Sequence, residues 1–168
     1  MISWSNFYFL CGSSAAGLTG LMFIAVTFGS RLITVEKLQH VDTFISPICY
    51  HFIHVFFLCC VASTPTAGPK VLGLMITITA IWRLAQIPTL YRRTKTAARD
   101  NSDVETSDWV LGLVLPSAVY ALFITAGLSY LLESALAPNL FAAALICLLM
   151  IGMKAAWEML IWIATKID

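Results

Sequence analysis

Five stretches of this chain are apolar over roughly the 20 residues that a helix needs to cross a hydrocarbon core, at about 7–29, 44–63, 71–90, 109–132 and 138–165. No other feature constrains the fold as strongly. Backbone N–H and C=O groups in lipid find no water, so apolar runs of this length close their hydrogen bonds internally as helix. The expectation is an all-α integral membrane protein in which residues 1–168 form a single transmembrane domain, a bundle of five helices. Composition agrees, with 60% hydrophobic and 11% charged residues where soluble chains carry about a quarter charged. Connections this short leave no room for a soluble catalytic domain, so function is expected in or at the bilayer.

The connecting segments differ in character: "SRLITVEKLQHVDT", then the turn-rich "STPTAGPK", the charged "YRRTKTAARDNSDVETSD" and the tight "ESALAPN". Pro138 suits the first turn of the fifth helix, where its missing N–H costs nothing, so the fourth and fifth helices read as an antiparallel hairpin. Thr106, Ser107 and Asp108 are N-cap candidates for the fourth. Pro88 and Pro116 free backbone carbonyls and are candidate kinks. Five crossings place the termini on opposite sides. Arg31, Lys37, Arg92, Arg93, Lys95, Arg99 and Lys166 share one side and Lys70 is on the other, which points to an outside amino end and a cytoplasmic carboxyl end. "MISWSN" lacks a basic n-region, so the first helix is expected to be retained. Trp4 and Trp109 stand at expected interfaces.

The formal charge of +1 gives no reason to invoke nucleic acid. Cys11, Cys49, Cys59, Cys60 and Cys147 lie in apolar stretches without CxxC spacing, which reads as packed thiols with neither disulfide framework nor metal site. In the first helix Gly12, Ala16 and Gly20 recur every four residues, with Ser13 and Gly17 alongside. Small residues at this spacing let helices approach closely in lipid, within the chain or between copies.

Ionisable residues inside the spans are the candidate site. Counting 1.5 Å per residue from the cytoplasmic side puts His51 and His54, Arg83, Lys154 and Glu158 in one layer about 10–16 Å deep, with Ser117 and Tyr120 at similar depth. Such groups are costly in lipid and mark ion paths, proton relays or ligand sites. Lys154 and Glu158 are four apart and share a face. The expectation is that Glu158 pairs with Arg83 or Lys154 facing the bundle interior, near the imidazoles. The plain alternative is a satisfied polar network that staples helices together. Two histidines of one turn cannot clamp both faces of a haem, so no cofactor is expected, with a site shared between copies or completed by one of the 6 methionines as the residual haem case. A catalytic role has the weakest basis, because no GxSxG, HExxH or phosphate loop is present.

The opening "WSNFYFLCGSSAAGLTGLMFIAVTFGSRL" and the closing "LLMIGMKAAWEMLIWIATKID" resemble a group of small bacterial multi-pass inner-membrane proteins of about five helices. These begin with an aromatic-rich start and an Ala/Thr/Gly-Leu helix, and end in a Gly-basic-x-Ala-Trp-acid-x-x-x-Trp helix. The resemblance implies a bacterial cytoplasmic membrane and a recurring context for Lys154, Trp157 and Glu158. It implies no activity. The leading expectation is an oligomeric ion or proton permeation protein, channel-like and pH-responsive. The alternatives are a non-catalytic structural, assembly or regulatory subunit of a larger membrane complex, and a haem-binding subunit.

Overall fold

The computed structural model describes residues 4–30, 35–65, 68–100 and 113–165, with side chains over 4–27, 48–65, 68–88, 113–158 and 160–161. Five helices follow one another: α1 (Trp4–Ser30), α2 (Val35–Ser63), α3 (Pro69–Asp100), α4 (Leu115–Leu131) and α5 (Ala137–Thr165). No strand occurs among the described residues. Three segments, Trp4–Thr27, Pro69–Pro88 and Ala137–Glu158, are long and apolar enough to cross a membrane, whereas Ile48–Ser63 and Leu115–Leu131 are shorter apolar helices. The all-helical expectation holds among the described residues, over which three of the five stretches reach full crossing length.

Two helices outrun their apolar stretches. α2 begins at Val35, inside the expected first connection, and α3 continues to Asp100 through "YRRTKTAARD". Glu, Lys, Arg, Gln and Ala are good helix formers, so a helix need not stop where its hydropathy does. Thr106, Ser107, Asp108 and Trp109 lie outside the described residues.

The bundle is built around α5, which packs on α1, α2 and α4; α3 lies mainly against α4 and touches α2 only briefly. Contacts give the directions. Gly12 meets Cys59 and Gly152 meets Phe52, so α1 and α5 each run antiparallel to α2, while Gly73 meets Gly127 across an antiparallel α3–α4 pair. The rings of Tyr8 and Phe141, both early in their helices, meet tilted at 5.4 Å between centres, which agrees with parallel α1 and α5. The amino end of α1 and the carboxyl end of α5 therefore lie at opposite ends of the bundle.

Phe52, Phe123, Phe141, Leu58, Ile76, Leu145 and Leu148 are fully buried, while Phe9, Leu10, Phe23, Trp82 and Trp157 face outward. An apolar exterior around an apolar core is what a lipid solvent allows, because helix association there rests on close packing rather than on exclusion of water. Hydroxyls are consumed locally: Ser14, Thr19, Thr77, Thr79 and Ser129 each donate to the carbonyl four residues back. This keeps them off the lipid at no tertiary cost.

α3 and α4 approach closely, backbone to backbone. A Cβ on Gly73 would stand 2.8 Å from the Gly127 carbonyl oxygen and 2.8 Å from Tyr130 Cβ, so only glycine admits this spacing. The α4–α5 turn closes as a Schellman motif: Ser134 N–H donates to Ser129 O at 2.9 Å, Glu133 N–H to Tyr130 O at 3.2 Å, and Glu133 holds φ 55°. Pro138 falls in the first turn of α5, as expected. Pro116 is likewise in the first turn of α4, preceded by a wider, π-type turn at 113–114.

Candidate functional site

At the α2–α3–α4 junction one hydroxyl gathers the ionisable groups. Tyr120 of α4 is buried, and its oxygen lies 3.0 Å from His51 Nδ1. Arg83 Nε donates to the same oxygen at 3.4 Å. With one lone pair so occupied, we assign the hydroxyl proton to Nδ1 of a neutral His51. The Arg83 guanidinium also lies over two rings, 5.0 Å from the centre of Tyr50 and 5.6 Å from that of Tyr120, and donates to Gln86 Oε1 at 3.3 Å.

His54 is one turn along α2. Its ring meets Tyr120 edge-on at 5.4 Å and Phe123 at 5.5 Å between centres. It is 8% exposed, and Nε2 is buried with no hydrogen-bond partner among the described residues. An unmet polar atom in such surroundings is costly, of order 1–3 kcal/mol.

Of the residues expected in one layer, His51, His54, Arg83 and Tyr120 come together here, as similar depths along antiparallel helices allow. Ser117 shares the depth but spends its hydroxyl on Leu113 O. Tyr50 and Gln86 were missed. Their signal was present: Gln86 is three residues from Arg83 on the same helix face, and Tyr50 directly precedes His51.

Lys154 and Glu158 do not join the cluster. They pair with each other at 3.7 Å, with side chains 61% and 42% exposed, on the outer face of α5. This corrects the expectation that Glu158 faces the interior beside the imidazoles. The reason is angular. The inward row of α5 runs through Leu145, Leu148, Gly152 and Ala156, and Lys154 and Glu158 each stand two residues, about 200°, from it. Axial distance differs as well: measured from Ala137, Lys154 is about 26 Å and Glu158 about 32 Å along the helix.

The expected Gly12, Ala16, Gly20 face also divides. Gly12 is buried against α2, where a Cβ would meet Cys59 Cβ at 3.0 Å, but Ala16 and Gly20 face outward and nothing stands within 4 Å of a Cβ on Gly20. A four-residue step overshoots the helical turn by about 40°, so the stripe winds off the contact. Tyr8, Cys11, Ala15 and Met22 keep to the buried side instead.

At the opposite end of the bundle Tyr8 and Tyr130 share a hydrogen bond at 3.2 Å, and exposed Lys70 and Glu133 pair at 3.1 Å. Between the two polar regions the rings of Phe123 and Phe141 meet edge-on at 6.2 Å. No three histidine, cysteine or acidic side chains converge as a metal site among the described residues. The chain matches no family model, and comparison with curated proteins and with solved structures likewise found no match.

Proposed function

We propose that this is a multi-pass protein of a bacterial cytoplasmic membrane, amino end outside and carboxyl end in the cytoplasm, acting as an oligomeric, pH-responsive permeation protein for protons or small ions. The observation that carries this reading is the buried Tyr120 hydroxyl shared by His51 and Arg83, with His54 beside it. Placed in a 30 Å core, His51, His54, Arg83 and Tyr120 lie about 14–21 Å from the outer ends of their helices, within the hydrocarbon. Lys154 and Glu158 fall near the cytoplasmic boundary with exposed Trp157, where indole and charge are tolerated. A charged pair on an outer helix face is cheap at that level.

In this reading the packed state is closed, sealed by Phe123, Phe141 and Leu145 between the cluster and the Tyr8–Tyr130 pair. A proton taken up by His51 turns both its ring nitrogens into donors and sets a second cation against Arg83. Tyr120 must then accept from both, and like-charge repulsion loosens the α2–α3–α4 junction. The reading involves no cofactor, and a Soret band in the purified protein would replace it with a haem-binding one.

The experiment is proton and monovalent-ion flux in liposomes as a function of pH. The His51→Ala/His54→Ala double variant is expected to shift or abolish the pH dependence, and Glu158→Gln to leave it nearly unchanged. The continuous apolar seal favours a second reading, a structural, assembly or regulatory subunit of a larger membrane complex in which the cluster only fastens helices. Absence of flux at every pH, with the double variant merely less stable, selects it.

A further inference from the structure

No acidic side chain among the described residues pairs with Arg83. Among the described residues the ion pairs are Lys70–Glu133 and Lys154–Glu158, and neither reaches it. Its hydrogen bonds to Tyr120 and Gln86, at 3.4 and 3.3 Å, are both longer than the usual 2.7–3.2 Å range, and they engage two of five N–H donors. The rings of Tyr50 and Tyr120 take the guanidinium by electrostatic attraction to their faces, an arrangement that leaves the in-plane donors unspent. An arginine inside a membrane helix is stable when its charge is compensated.

The surroundings admit a ligand. α3 leans on α4 and touches α2 only briefly, so the seam between α2 and α3 is thinly closed. Arg83 is half-buried in that seam and Tyr50, at 45% exposure, stands beside it. Ile78, Ile81 and Trp82 on α3 and Ile53 on α2, the two helices that form the seam, are exposed apolar side chains, suited to an acyl chain. His54 adds an unspent buried nitrogen beside Tyr120.

We propose that Arg83 and Tyr50 form, at the α2–α3 seam, a binding site for a carboxylate or phosphate group, carried into the membrane as the headgroup of an anionic amphiphile. A neutral acceptor would satisfy donors but leave the charge. A carboxylate or phosphate does both, through paired N–H···O contacts that match the guanidinium fork. This site rests on the intramembrane placement argued above and not on permeation.

The test is native mass spectrometry of the full-length protein after incubation with oleate, phosphatidylglycerol or phosphatidylcholine. Retention of an anionic amphiphile roughly tenfold above phosphatidylcholine is expected, falling about tenfold in Arg83→Gln and unchanged in Lys70→Gln, as loss of one charge-assisted contact implies. Equal retention of phosphatidylcholine, or undiminished binding by Arg83→Gln, overturns the site. Displacement by millimolar inorganic phosphate supports it with a soluble anion as its source, and resistance to displacement supports the amphiphile. Should Arg83→Gln not fold, photolabelling of the wild-type protein with a fatty acid bearing a diazirine near its carboxylate decides: label within residues 50–54 and 82–86 supports the site, and label confined to other segments refutes it. Liposome flux is a separate readout, so the anion site stands without flux and can fail with flux intact.

Discussion

Tyr120 is where one atom serves two helices. His51 of α2 and Arg83 of α3 both use its hydroxyl oxygen, so Tyr120→Phe removes two contacts and leaves the buried His51 and the half-buried Arg83 each one partner short. We expect a loss of roughly 1–2 kcal/mol, measured by thermal unfolding in detergent micelles. Tyr8→Phe, which breaks the single hydroxyl contact to Tyr130, should cost less. Glu133 offers the opposite sign. Its φ of 55° at the end of α4 is strained for a residue with a Cβ, so Glu133→Gly should stabilise by about 1 kcal/mol. Its ion pair with Lys70 is exposed at both partners and offsets little of that gain. Lys70→Ala measures that offset separately.

Among the elements, the α3–α4 pair is the most intimate, and its cause is two isolated glycines. Gly73 and Gly127 face one another where any Cβ would strike backbone. Gly127→Leu must push the helices apart and is expected to cost about 1–3 kcal/mol or more, read from the same unfolding midpoint. Gly20→Leu, by contrast, enters open space on α1. It should leave the midpoint unchanged and alter only the distribution of oligomers seen by sedimentation, if copies meet on that face. The two glycine patterns thus exchange the weights that spacing alone assigns them: the repeating stripe is mostly outward, and the unrepeated pair fixes a helix contact.

For the whole molecule, the decisive arrangement is an apolar layer around Phe123 and Phe141 that separates the Tyr120 cluster from the Tyr8–Tyr130 pair at the other end. Reporter fusions test the orientation: a fluorescent protein fused after Asp168 should light up in the cytoplasm, and alkaline phosphatase fused there should stay inactive. The reverse pattern would invert every depth assigned to the cluster. Lys154 and Glu158, exposed near one end of α5, should be worth little to the fold. Glu158→Gln is expected to change stability by less than about 0.5 kcal/mol.

Hydropathy over about 20 residues was enough to find five helices, because each needs only its own residues to close its hydrogen bonds. Axial counting gives His51, Arg83 and Tyr120 similar levels, and these three share one hydroxyl, but it gave Lys154 and Glu158 that level too, and they stand further along α5 as an exposed pair. Which way a side chain turns is another matter. In a helix apolar all round, no amphipathic stripe distinguishes the lipid side from the core, so the outward Lys154–Glu158 pair and the outward Ala16 and Gly20 were not legible. Nor was the Gly73–Gly127 contact, since a lone glycine carries no period. Those facts depend on how each helix is rotated against its neighbours, which the side chains of all the helices decide together.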